Sequence, residues 1–410
     1  MPAPYSGDIQ DGNRKRTIAI ILTLSGKAIQ QPAPHLVPST MKHIVILGGS
    51  YGGISTAHRI LKQYTKLEPF KITLVSPNTH FYWSMAAPRG LVPKQLTDEQ
   101  LFRPIAAGFD RYTVDQFELV VASAEAVDVE NKTVEVSGPS EKRTIPYDFL
   151  ILATGSRTNG DTPLKCLGST QATKDSLHEL QARIAEARTI TVAGAGVTGV
   201  EVAGELAYEY GRKKEIILIA SEATILDETP ASVAKTAMKA LVDLDVKVKL
   251  HTKVASSHEM PEGGQELILS DGSKLKTDLY IPTFGLIPNS SYMAAEYFNA
   301  KGFVKVDEFL KVKGTKDIWA IGDVSDVEAA QFISCDRQSV YLAKALGSVL
   351  SKKIPLPYKV AASRFMGMQI GRKAGTGHYG NTRLPGFLFV WARKTLFIEN
   401  LKGTVDGSLF

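Results

Sequence analysis

Residues 42–60 read KHIVILGGSYGGISTAHRI, and the fold turns on how the glycines in the middle are read. An aliphatic run, Ile44 to Leu47, leads into the glycine cluster, and a helix-like stretch follows to about Tyr64. KITLVS (71–76) then supplies a second strand, which makes a βαβ opening. In a G-x-G-x-x-G turn the first glycine permits the tight reversal. The second lets the backbone approach a phosphate, and the third lets the helix pack on the strand. Gly48 and Gly53 hold the first and third places, with Gly49, Tyr51 and Gly52 around them. The second place is Ser50, the smallest tolerable substitute, whose hydroxyl can donate to a phosphate oxygen. Taken alone, the stretch also reads as an ordinary strand-to-helix turn.

A second copy decides between the two readings. TITVAGAGVTGVEVAGELAYEY (189–210) carries all three glycines, Gly194, Gly196 and Gly199, and EIILIA (215–220) follows as the next strand. The free N–H groups of a helix N-terminus meet phosphate charge there. Two such units in one chain point to one tightly held dinucleotide and one exchanging partner. Between them lie a β-rich stretch, FELVVASAEAVDVENKTVEVSG (117–138), and YDFLILATGS (147–156), a strand ending in a small-residue turn. A helix over ASVAKTAMKALVDL (231–244), further strands and a mixed strand-and-aromatic tail (356–410) complete the pattern.

At 410 residues, 44% of them hydrophobic and 22% charged, the chain can bury more than one core. Its net charge of +6 is small for this length and spread along the chain, so nucleic acid is not an expected partner. Only Cys166 and Cys335 occur, far apart, which excludes a disulfide framework and C-x-x-C redox or zinc motifs. No metal site is expected. The first forty residues contain RKRTIAIILTLSG (14–26) and the Pro-rich QQPAPHLVPST (30–40). The apolar run is too short to span a bilayer, and residues 1–40 are expected to be a disordered extension before Met41.

The order and spacing of these motifs resemble the two-dinucleotide-binding flavoproteins, with FAD at the first site and NAD(P)H at the second. DIWAIGDVSD (317–326) looks like that superfamily's second FAD motif, in which the aspartate after Gly322, here Asp323, hydrogen-bonds the ribityl chain. A closer resemblance, from Met41 onward, is to the apoptosis-inducing-factor-like mitochondrion-associated (ferroptosis-suppressor-like) group. It rests on GGSYGGIS, AAPRG (86–90), ILATGS (151–156), GAGVTGVEVAGEL (194–206), AIGDVSD (320–326) and YKVAASRFMGMQIGRKAGTG (358–377). The likeness implies an α/β fold with two Rossmann-like domains. An FAD domain (41–158 and 284–355) would hold an inserted NAD(P)H domain (159–283), and a C-terminal α+β segment (356–410) would lie near the flavin and acceptor. It also implies that Arg89, Ala124 (through its backbone), Ala153, Thr154 and Gly155 contact FAD. Glu201 would sit near flavin and nicotinamide, and Lys359 near the flavin ring.

Three departures accompany the likeness. The acid that ends the second strand of the FAD half and holds the adenosine ribose is replaced by Ser76. The equivalent place in the NAD(P)H half is Ala220, followed by Ser221 and Glu222, which leaves the choice of NADH or NADPH open. The C-x₄-C of the disulfide reductases is missing from HFYWSMAAPRGLVPKQ (80–95), so electrons are expected to leave the flavin directly for an external acceptor. The expected activity is hydride transfer from NAD(P)H to FAD, then two electrons to a quinone or other small acceptor. An oxidase or tailoring enzyme for a specialised small molecule and a signalling flavoprotein with partner or DNA binding are the alternatives. LPGFLFVWARKTLFIENLKG (384–403) mixes aromatics with bases, as a peripheral membrane contact would, or as a segment packed on the FAD domain would. No lipidation signal accompanies it. A cytoplasmic or mitochondrion-associated location is the expectation.

Overall fold

The computed structural model describes residues 41–64, 69–139, 141–160 and 162–410, so the disorder expected for residues 1–40 lies outside the described residues. Two parallel sheets organise the rest. The first has five strands in the order Ile318–Ala320, Phe149–Leu152, Lys42–Leu47, Phe70–Ser76 and Phe117–Val121. Its central strand is buried without alternation, Ile44, Val45 and Ile46 being fully inaccessible, because helices cover both faces of a parallel sheet. The second sheet has four strands in the order Lys247–Lys249, Glu215–Ile219, Thr189–Ala193 and Leu279–Pro282. A three-stranded antiparallel meander accompanies each: Ser123–Asp128, Thr133–Ser137 and Lys142–Pro146 in one case, Val254–Glu259, Gln265–Leu269 and Lys274–Thr277 in the other.

The helix Tyr51–Tyr64 packs along the helix Phe332–Leu350. Gly347 permits the contact, since a Cβ there would lie 2.1 Å from the Tyr64 ring. The tail forms a three-stranded antiparallel sheet (Phe365–Ile370, Ala374–Tyr379, Thr382–Leu384) and two short helices, Gly386–Ala392 and Asn400–Val405. Its aromatics divide between interior and surface. Phe389 is buried over Gly367 and Gly377, whose Cβ atoms would meet its ring at 2.2 and 2.4 Å, whereas Phe387 and Trp391 are 70% and 79% exposed.

The chain's last residues close over the helix Tyr51–Tyr64. The buried ring of His58 stacks on Phe109 at 4.0 Å and donates through Nε2 to the Val405 carbonyl at 2.8 Å, while Nδ1 has no partner among the described residues. Burial, with Lys62 and Arg111 nearby, holds the imidazole down to about 4 against the raising influence of the Val405 contact and Asp406. The unfolded chain therefore binds the extra proton first. Stability is full above pH ~6.5 and falls as the pH drops toward 4, by at most about 3 kcal/mol from this group. Denaturation midpoints measured at pH 7 and 5 should show a steeper loss in the wild type than in His58→Gln.

Candidate active site

The two glycine turns are built by the same contacts. In the first, the Gly48 N–H donates to Val75 O at 2.8 Å; in the second, the Gly194 N–H donates to Ile219 O at 3.0 Å. Both glycines have left-handed φ, +116° and +103°. The third glycine of each abuts the carbonyl of the first: a Cβ on Gly53 would lie 1.9 Å from Gly48 O, and one on Gly199 would lie 1.8 Å from Gly194 O. At the middle place, Ser50 is exposed and Gly196 has no atom within 4 Å of its absent Cβ. Both turns thus open the backbone to an incoming ligand, and each leads into a fourteen-residue helix, Tyr51–Tyr64 or Val197–Tyr210. The N–H groups of the first turn of such a helix await an anion.

Around the first turn, Ser76 is buried and turned to Asn78, accepting its N–H at 3.1 Å and donating to its carbonyl at 2.9 Å. Its Oγ would touch a Cβ on Gly49 at 2.5 Å. Ser76 therefore borders the glycine turn with its hydroxyl already engaged. Ala153 contacts Gly48, and Thr154 Oγ1 meets Asn289 O and the Tyr292 hydroxyl at 2.6 and 2.9 Å. Gly155 has φ +65° with open space at its Cβ position. Ala124 is half-buried beside a bulge in the meander strand Ser123–Asp128.

Gly322 donates its N–H to Gln338 Oε1 at 2.6 Å, and its neighbour Asp323 receives Ser156 Oγ at 2.9 Å and Lys165 Nζ at 2.5 Å, both on Oδ2. Asp323 Oδ1 has no partner among the described residues. Cys335 lies between the two motifs, its Sγ 3.1 Å from the Cβ positions of both Gly52 and Gly322. Burial pushes its thiol up to about 12 and that of Cys166 to about 11, so both stay protonated and neither serves as a thiolate. The open cradles, the left-handed Gly155 and the unpartnered carboxylate oxygen fit a dinucleotide such as FAD.

The helix Val197–Tyr210 carries two buried acids one turn apart. Glu201 Oε1 accepts from Arg393 Nη2 at 2.8 Å, and Glu205 Oε1 accepts from Arg89 Nε and Nη2 at 3.0 and 2.8 Å. Burial raises the Glu201 carboxyl above its usual range, against the lowering effect of Arg393 and the Gln369 backbone. Arg89 also reaches Lys394 O at 3.1 Å and Gln369 Oε1 at 3.2 Å. The tail sheet gains this position through Gly204 and Gly371, since a Cβ on Gly204 would lie 2.9 Å from Gly371 N. Lys359, by contrast, stands exposed on the stretch before the tail sheet, beside Tyr358, whose hydroxyl donates to Glu328 at 2.6 Å. No contact among the described residues joins Lys359 to Glu201.

Arg89, Gln369 and Lys394 border a cavity of about 1080 Å³ whose apolar wall includes Leu96, Val390 and Trp391. Sequence reasoning missed Arg393, Glu205, Gln369 and Lys165. Glu205 alone had a readable signal, standing four residues after Glu201 and hence on the same helix face.

A family profile described as Pyridine nucleotide-disulphide oxidoreductase matches residues 42–345. The oxidoreductase ptaL of Pestalotiopsis fici is 52% identical over 371 residues, covering 90% of this chain and 100% of that protein. Ferroptosis suppressor protein 1 of Homo sapiens is 29% identical, covering 83% of this chain and 89% of that protein. Among solved structures, NDH2 from Plasmodium falciparum in complex with NADH superposes with a TM-score of 0.71 at 15% identity, covering 89% of this chain and 96% of that one. The sulfide:quinone oxidoreductase of Aquifex aeolicus gives 0.71 at 18% identity, covering 88% and 92%.

Proposed function

The chain belongs to the pyridine nucleotide-disulphide oxidoreductase family, and we propose that it passes electrons from NAD(P)H through FAD to a quinone. It is an NAD(P)H-dependent flavoprotein oxidoreductase. The reading rests on the two glycine turns of matching geometry in one chain. FAD held at the first turn would supply the hydride and two-electron chemistry.

The chain's own residues position and shield. The first turn, with Ser50 at its mouth, and Asp323 Oδ1 hold FAD; Ala153, Thr154, Gly155 and the Ala124 backbone complete its border. The second turn holds NAD(P)H. Glu201, whose carboxyl burial raises above its usual range, relays a proton, and Arg393 orients it. Lys359 stabilises negative charge developing on the flavin or acceptor. Arg89 acts by fixing Glu205 and the tail. The cavity beside Arg89 and Gln369 receives the acceptor, its apolar wall suited to a quinone ring. Phe387 and Trp391, exposed on one face of a short helix next to the exposed Lys394, give a peripheral contact with anionic lipid from which a quinone is drawn. No helix among the described residues is long and apolar enough to cross a membrane.

Purified protein titrated anaerobically with NADH and with NADPH should lose its flavin absorbance, and a short-chain quinone should restore it. Bleaching that only dioxygen reverses would remove quinone as the acceptor. With FAD fully bound, Glu201→Gln and Lys359→Ala should each lower turnover at least about tenfold. Wild-type turnover in either would cancel that residue's role.

A further inference from the structure

We propose that Lys165 is a cofactor-positioning residue, which neutralises Asp323 on one oxygen so that the other can receive the ribityl hydroxyl of FAD. The inference rests on the FAD reading above and extends it to a residue that no motif contains. Lys165 lies in the segment that leads from the first sheet toward the helix Thr170–Glu186, 158 positions from Asp323 in sequence.

Three chain segments meet at one carboxylate. Ser156 follows the small-residue turn after the strand Phe149–Leu152, Lys165 comes from the connecting segment, and Asp323 follows the strand Ile318–Ala320. Both protein donors converge on Oδ2, and the side chain of Asp323 is only 16% exposed. A carboxylate so placed needs a counter-charge, because desolvation without a partner is costly and two phosphates are expected at the helix end nearby. Lys165 supplies that charge and, by occupying Oδ2, fixes which oxygen stays free. A serine hydroxyl alone leaves the charge in place. Lys165 also lies close enough to Cys335 to influence its thiol, and Cys335 abuts Gly52 and Gly322, so the ammonium stands at the edge of the first glycine cradle.

The chain has a specific reason to need this contact. Where an acid would hold the adenosine ribose it carries Ser76, whose hydroxyl is turned to Asn78. The ribityl end must then carry a larger share of cofactor retention.

The test is FAD release from the full chain, followed by flavin fluorescence on dilution and by the visible spectrum. Lys165→Met should weaken FAD binding about ten- to a hundredfold and shift the flavin absorption band, while Lys165→Arg should stay within about threefold of wild type. In an Asp323→Asn background, Lys165→Met should add little further loss, because the charge it compensates is gone. Wild-type affinity and spectrum in Lys165→Met would overturn the proposal. So would a loss from Lys165→Met that is equally large with and without Asp323→Asn, which would mean a role independent of the carboxylate. If the wild-type chain takes up no FAD at all, the FAD reading itself fails, an outcome distinct from either.

Discussion

Arg89→Ala is expected to destabilise the folded chain by about 3–5 kcal/mol, the range for removing one partner of a buried ion pair. The side chains of Arg89 and Glu205 are only 8% and 5% exposed, and Arg89 places two of its nitrogens on one oxygen of that acid. With the guanidinium gone, Glu205 is a buried carboxyl without its partner. Glu201 lies one turn away on the same helix, and burial already penalises its ionised form. The loss also frees Gln369 Oε1 and Lys394 O, which bind the tail to this region. Denaturant midpoints should fall sharply for Arg89→Ala, less for Arg89→Lys, and should recover in part in Arg89→Met combined with Glu205→Gln. An Arg89→Ala midpoint equal to wild type would show that the pair contributes nothing net.

Gly53→Ala is expected to abolish FAD retention and to cost several kcal/mol of stability. Its Cβ would stand 1.9 Å from Gly48 O, inside the turn, where the obstacle is backbone that cannot rotate away. The strand Lys42–Leu47 and the helix Tyr51–Tyr64 would have to separate, and that strand is the central one of the larger sheet. Gly196→Ala provides the contrast. With nothing within 4 Å of its Cβ position, it should fold at wild-type stability and weaken only NAD(P)H, as a raised KM at unchanged flavin content. A Gly53→Ala protein that stays yellow and melts normally would contradict the steric argument.

Local features of the chain were legible in the sequence, and long-range ones were not. Both strand–turn–helix units, the strand Phe149–Leu152 and the segment around Asp323 announce themselves through glycine spacing and aliphatic runs, because their geometry is fixed within about ten residues. Arg89 was readable as a candidate, but its engagement by Glu205, 116 positions away, was not, since no periodicity links them. Lys165 looks like any solvated lysine until Asp323 is folded onto it. Ser76 occupies the place expected from the pattern, yet its hydroxyl closes a turn with Asn78, a detail set by the backbone two residues on. The tail gave an ambiguous reading because its aromatics divide, Phe389 packing in the interior and Trp391 standing exposed.

The helix Val197–Tyr210 begins at the second glycine turn and, within its first three turns, carries the two acids that meet Arg393 and Arg89 beside the cavity. One rigid rod thus sets the registration between the second glycine turn and the cavity, through a rise of about 1.5 Å and a rotation of about 100° per residue. Adding or deleting a single residue between Gly199 and Glu201 would leave both glycine turns intact while swinging the carboxylates out of the seam. Across homologous chains, that spacing should tolerate substitutions but no change of length.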